Sequence, residues 1–213
     1  MSTNSAVGKT IVTSSIISHL KQRQSEVTNT NESFSLLYFY FKHQQREKRS
    51  LVSLLRSLLF QLVGQDESLL DHVYHSCSSA EPKHVQLLEE VSRQATIALN
   101  SQARCFVIID GLDESAEAPE VLEWFSSNIF SQGGTSNSIV SNVRLFISGQ
   151  RDGVLEPRMC DYSTILLEEI PGHDQEIKDF AVTMATKIRD KFSLDSETAQ
   201  QIVTRVTSQT GGV

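Results

Sequence analysis

Cysteine is scarce in this chain of 213 residues: there are 3, Cys77, Cys105 and Cys160, with no C-x-x-C pair among them. An odd number so spaced argues against a disulfide framework and against a zinc site built from thiolates, and it fits a reducing, cytoplasmic compartment. Long apolar runs are missing too. The longest, Leu36–Phe41, falls far short of the roughly 20 residues that span a bilayer, and the first residues carry neither a basic cluster nor an early apolar stretch. Basic residues are in deficit, with Lys+Arg 19 against Asp+Glu 26 and a net charge of -7. That balance opposes a broad phosphate-gripping face, because Lys and Arg supply most of the affinity for nucleic acid. With only 4 Pro and a hydrophobic fraction of 39%, the composition is globular. The expectation is a soluble, non-secreted protein with neither a nucleic-acid nor a membrane partner.

What is present alternates between two periodicities. Gly8-Lys9-Thr10 leads directly into Ile11, Val12, Ile16, Ile17 and Leu20, spaced to line one side of a helix. Phe34–Phe41 is short and aromatic, the pattern of a strand buried on both faces. After a basic loop, Lys42–Arg49, leucines repeat at helical spacing from Leu51 to Val63, with Ser50 as N-cap and Gly64 as the stop. Helical patches follow over Glu67–Cys77 and Lys83–Leu99. Arg104–Ile109 predicts a strand ending in Asp110, and a helix runs from about Ala118 to Phe130. Ser131–Asn142 reads as a loop, Val143–Ser148 as a strand and Ser163–Leu167 as a last strand. Beyond Pro171-Gly172 only helical patterns remain, Asp174–Phe192 and Ser196–Thr207. The reading is a three-layer α/β domain over residues 1–170, followed by the beginning of a helical subdomain over 171–213.

Two segments carry chemistry. Gly8-Lys9-Thr10 before a helix is the back half of the phosphate-binding pattern G-x-x-x-x-G-K-[ST]. In that pattern backbone N–H groups cradle anionic oxygens, the lysine meets the β- and γ-phosphates and the hydroxyl ligates Mg²⁺. The first glycine of the pattern would fall at position 3, which is Thr3. Cys105–Ile109 ending in Asp110 has the form of a strand that delivers a carboxylate to the Mg²⁺ shell. Asp113 and Glu114 follow, and one of the two is expected to orient or deprotonate an attacking water, Glu114 ahead of Asp113, whose other role is to hydrogen-bond the turn. The strand inserted between Lys9 and Asp110 favours an ATPase switch over a metabolite kinase.

In this order Gly8-Lys9-Thr10, Tyr38–His43, Ser53–Leu58, Ile109–Glu114 and Phe146–Arg151 resemble fungal NACHT-type STAND ATPases, in particular the nephrocystin-3-like N-terminal subgroup of NOD-like receptors. The resemblance implies a P-loop NTPase of the additional-strand type with a mostly parallel sheet. It implies binding of ATP or GTP with Mg²⁺, a slow hydrolytic switch and nucleotide-controlled self-association. It also implies that Ser148 and Arg151 sense the γ-phosphate, although Ser-Gly-Gln-Arg departs from the commoner Ser-Arg or Thr-Arg ending. Two further departures are expected to matter. Only seven mostly polar residues precede Gly8, so the strand that carries the phosphate loop is expected to be absent and its neighbours to face each other across a gap of one strand. The chain is also expected to stop short of a winged-helix region. A truncated, degenerate interaction domain that no longer binds nucleotide is the alternative.

Weaker patterns read as structure. His72, His75 and Cys77 form H-x-x-H-x-C, which lacks further ligands for a metal. Lys42, His43, Arg46, Lys48 and Arg49 read as a solvated loop, and Trp124 and Phe125 as packing. No arrangement for covalent catalysis stands out.

Overall fold

In the computed structural model the described residues are 8–27, 33–43, 45, 48–70, 84–130, 141–150 and 162–210. They fall into two compact units, one within Lys9–Cys160 and the other within Asp161–Val213, with Gly8 grouped with the second.

The first unit is built on a three-stranded parallel sheet in the order β1 (Ser35–Tyr40), β2 (Cys105–Asp110), β3 (Val143–Ile147). Each strand is apolar on both faces, and strict alternation divides its side chains between two cores. Leu37, Phe39, Val107, Ile109 and Val143 enter the larger core, whereas Leu36 and Ile108 turn to the other face and meet Ile17. Helices therefore cover both faces, an arrangement compatible with a Rossmann-like fold. Helix α1 (Lys9–Glu26) lies over one face; α2 (Leu51–Gln65), α3 (His84–Asn100) and α4 (Ala118–Phe125) pack on the other.

Among the described residues the sheet shows no gap. The three strands pair without interruption, Phe39 opposite Ile109 and Ile109 opposite Ile147, and among the described residues β3 has no strand on its outer side. The opposite edge is closed by an unexpected device. Gln61 and Gln65, one turn apart on α2, use their side-chain amides as a surrogate strand. Gln61 accepts from the Tyr38 N–H at 3.0 Å and donates to the Tyr38 carbonyl at 2.9 Å, while Gln65 does the same for Leu36 at 3.0 and 2.9 Å. In a parallel strand alternate residues direct both backbone groups to the same edge, so an i, i+4 pair of glutamines matches the spacing of residues 36 and 38.

Helix α2 starts where the sequence predicts, with the Ser50 hydroxyl accepting from the Ser53 N–H at 3.3 Å. Its end differs. Gly64 does not stop it; the helix runs on to Gln65, and the Asp66 N–H closes the last turn on the Leu62 carbonyl at 2.8 Å. Leu54, Leu55, Leu58 and Leu62 are completely buried. Truncating one such leucine to alanine costs about 2–5 kcal/mol, so this helix anchors the sheet. On α1 the face is also rotated from expectation: Ile11 is 58% exposed, whereas Thr13 and Ile17 are the buried residues. The helix from Ala118 widens into a π turn over Ser126–Phe130. Trp124 and Phe125 are buried in the core, and the indole N–H of Trp124 donates to the Ser92 hydroxyl at 2.6 Å.

In the second unit Ser163–Leu167 is not a strand. Residues 163–166 are irregular, Leu167–Glu169 form a 3-10 turn, and Ile165 is 73% exposed. β-branched composition is insufficient where no neighbouring strand supplies a ladder. Helices α5 (His173–Phe192) and α6 (Ser196–Thr210) pack through Ala181, Ala185 and Val203. Asp195 precedes α6 and accepts from the Thr198 N–H at 2.6 Å, which holds its carboxyl below the usual aspartate range. Residues 71–83, with His72, His75 and Cys77, lie outside the described residues, as do Arg46, most of Ser131–Asn142 and Cys160.

Candidate functional site

Three parallel strands end at one edge of the sheet, and the start of α1 reaches the same edge. Asp110 is the last residue of β2 and is only 5% exposed. A carboxylate at that depth needs hydrogen-bond donors. It finds three hydroxyls, two from α1 and one from the end of β3: Thr10 donates to Oδ2 at 2.7 Å, Thr13 to Oδ1 at 2.8 Å, and Ser148 to Oδ1 at 2.5 Å. Ser148, directly after β3, also accepts from the Gly111 N–H at 3.2 Å, and its backbone ties to Ile109 and Leu112. One hydroxyl thus joins the ends of β2 and β3, donating on one side and accepting on the other.

Immediately beyond Asp110 the chain turns. Gly111 sits at φ 70, left-handed space that a side chain enters only at a cost, and a Cβ there would lie 3.5 Å from the Phe41 carbonyl oxygen. The turn leads into the 3-10 segment Leu112–Glu114, with Leu112 fully buried. It brings Asp113 back towards α1, where its Oδ2 lies 3.5 Å from the amine of Lys9. The other oxygen, Oδ1, is buried without a hydrogen-bond partner. Glu114 turns the other way and accepts from the His43 N–H at 2.8 Å, fastening the loop after β1.

The start of α1 is electrostatically unusual. Helix N-termini carry partial positive charge and favour acidic first turns, yet this one opens with Lys9 and has no acidic residue in its first turn. Gly8 just before it has φ 119. The N–H groups of a helix start, a lysine and a threonine hydroxyl together suit an anion, and among the described residues Asp113 at Lys9 and Asp110 at Thr10 offset the charge.

The structure therefore brings together Lys9, Thr10, Asp110, Asp113 and Ser148, with Gly8 at the helix start and Glu114 on the adjoining loop. Arg151 lies outside the described residues. Thr13 was not anticipated. A polar residue at 0% exposure one turn after Thr10 is the signal, visible only once the buried face of α1 is known. For a metal ion, the donor set is the carboxylate of Asp110 and the hydroxyl of Thr10. Both are hard oxygens suited to Mg²⁺, which ordinarily keeps several waters and takes one or two protein oxygens besides phosphate. Among the described residues no cluster of three or more His, Cys, Asp or Glu stands ready to hold a metal, as that sparse mode of binding requires none.

Fold and site together define an α/β protein in which a strand-end carboxylate is gripped by the start of a helix. The chain belongs to the nephrocystin-3 N-terminal family, whose model, Nephrocystin 3, N-terminal, matches residues 1–150. No curated protein and no solved structure matches it. Among the described residues no helix is long and apolar enough to cross a membrane.

Proposed function

We propose that the Lys9–Cys160 unit binds a nucleoside triphosphate, ATP or GTP, together with Mg²⁺, and serves as the switch module of a NACHT-type signalling protein. The observation that carries this reading is the 2.7 Å hydrogen bond between Thr10 and Asp110, residues separated by a hundred positions. A phosphate-loop threonine and a strand-end aspartate have to come this close if both are to serve one cation lying beside them.

Each residue then has a role. The N–H groups at the start of α1 and the amine of Lys9 hold phosphate oxygens. Thr10 donates its hydrogen bond to Asp110 and so would turn a lone pair outward for the cation. Mg²⁺, when bound, supplies charge neutralisation on the phosphates. Asp113, already facing Lys9, is better placed than Glu114 to orient water, because Glu114 is committed to the His43 N–H. Ser148 couples the end of β3 to the carboxylate, which suits the sensing role that the resemblance implies for it. Slow hydrolysis would shift the balance between conformations through these differential contacts, with self-association of the complete protein as the readout. A cytoplasmic location accompanies this reading.

Isothermal titration of the protein with ATP or GTP and Mg²⁺ tests it. Binding is expected in the wild type and absent in Lys9→Ala; equal affinity in both proteins overturns the assignment. Thr3, standing where the phosphate-loop pattern has its first glycine, favours a second reading, an interaction domain that keeps the fold without the ligand. A sample that melts cooperatively but gives no heat with either nucleotide would establish that one.

A further inference from the structure

We propose that Thr13 is a positioning residue that decides which oxygen of Asp110 is offered to a cation; the inference rests on the nucleotide-binding reading above. A carboxylate has about four lone-pair sites, two on each oxygen. Thr13 and Ser148 occupy both sites of Oδ1, and Thr10 occupies one site of Oδ2. A single acceptor site remains, on Oδ2, at the side where Thr10 is exposed. Thr13, Asp110 and Ser148 are 0, 5 and 9% exposed, so water has little access to the Oδ1 side. The carboxylate is held in one rotamer with one oxygen outward.

Thr13 has a choice that Ser148 lacks. Its one proton stands within reach of two acceptors, Asp110 Oδ1 at 2.8 Å and the Lys9 carbonyl at 2.9 Å. An ionised acceptor wins over a neutral carbonyl, so the hydroxyl turns to Asp110 as long as the carboxylate carries its charge. Because the alternative acceptor belongs to Lys9, the same side chain links the aspartate to the backbone of the residue that meets phosphate. Valine has the shape of threonine without the proton. In Thr13→Val, Oδ1 keeps one donor of two, and the carboxylate is free to turn and present either oxygen.

The test compares nucleotide affinity of the full chain with Mg²⁺ and with EDTA, for wild type, Thr13→Val and Thr13→Ser, beside thermal melting without nucleotide. The expected result is a loss on the order of tenfold in Thr13→Val with Mg²⁺, the value of one hydrogen bond to a charged group, with affinity in EDTA unchanged and Thr13→Ser restored. A purely structural role would lower the melting temperature and affect both affinities alike. Equal losses with and without Mg²⁺, or no loss, overturn the inference while leaving the nucleotide reading intact. A wild type that binds no nucleotide under either condition overturns both. Should Thr13→Val fail to fold, Thr13→Ser against Thr13→Cys makes the same comparison, since the thiol is a much weaker donor in the same place.

Discussion

Lys9 gives its charge to Asp113 and not to Asp110: the amine lies 3.5 Å from Asp113 Oδ2, while three hydroxyls claim the deeper carboxylate. Both side chains are mostly buried, at 16 and 15% exposure, so the pair must be broken before the amine can meet an anion. Asp113→Asn is therefore expected to tighten binding of the nucleotide–Mg²⁺ complex by about three- to tenfold, on the scale of a modest ion pair. Titration calorimetry reads this directly, and unchanged or weaker binding would show that the pair does not restrain the lysine.

The glutamines of α2 lead to a second expectation. Replacing both Gln61 and Gln65 by alanine leaves the outward N–H and C=O groups of Leu36 and Tyr38 without partners, at about 1–3 kcal/mol for each buried group left unmet. The double variant should melt well below the wild type and show self-association by light scattering, because a bare strand edge recruits other chains. Gln61→Glu, which still accepts but no longer donates, should fall between.

Two glycines should respond with opposite sign. Gly64 lies inside α2 with nothing within 4 Å of an added Cβ, and alanine there should stabilise by about 0.5–1 kcal/mol. Gly111 at φ 70 faces the Phe41 carbonyl, and alanine there should destabilise by roughly 1–2 kcal/mol. Denaturant midpoints of the two variants, one above and one below wild type, check the pair.

Cys105 is fully buried, and burial pushes its thiol up to about 12. In the native protein it should resist alkylation at neutral pH and react once the chain is unfolded. The sign of its pH linkage follows from a folded value above the unfolded one of about 8.5. Its contribution is whole below that pH and is lost as pH rises towards 12, at up to about 1.4 kcal/mol per unit. The stability gap between wild type and Cys105→Ala should accordingly shrink between pH 9 and 11 in urea titrations.

For α6 the sign is reversed. The Asp195 carboxyl is lowered by its bond from the Thr198 N–H, so the cap is complete above the ordinary aspartate range and fails as pH falls through the lowered value. Helical circular dichroism of the wild type should drop over that acid interval. Asp195→Asn, which still caps but does not ionise, should lack that component, and Asp195→Ala should be less helical even at neutral pH.

Much of this was legible in the residues themselves. The three strands were, because Val, Ile and aromatic side chains on both faces leave few alternatives for runs so short. The meeting of Thr10 with Asp110 was, because a phosphate-loop tail and an acid at a strand end are useful only together, whereas Lys9 turns to Asp113. What stayed hidden depended on partners that a linear pattern does not contain. Ser163–Leu167 has the composition of a strand and no ladder to join. Gly64 carries a stop signal that the hydrogen bond from Asp66 overrides. Ile11 and Val12 look like core, yet Thr13 is the residue turned inward, since a buried aspartate 97 positions away rewards a hydroxyl over a methyl group. Gln61 and Gln65 read as an ordinary polar stripe until the strand beside them is known.

The three hydroxyls on Asp110 come from residues 100, 97 and 38 positions away along the chain. None is supplied by local structure, so the buried carboxylate has its full set of donors only when both the first helix and the third strand have docked. The aspartate thus ties the docking of that helix to the docking of that strand: a molecule in which Asp110 is buried with either one misplaced is penalised at this carboxylate.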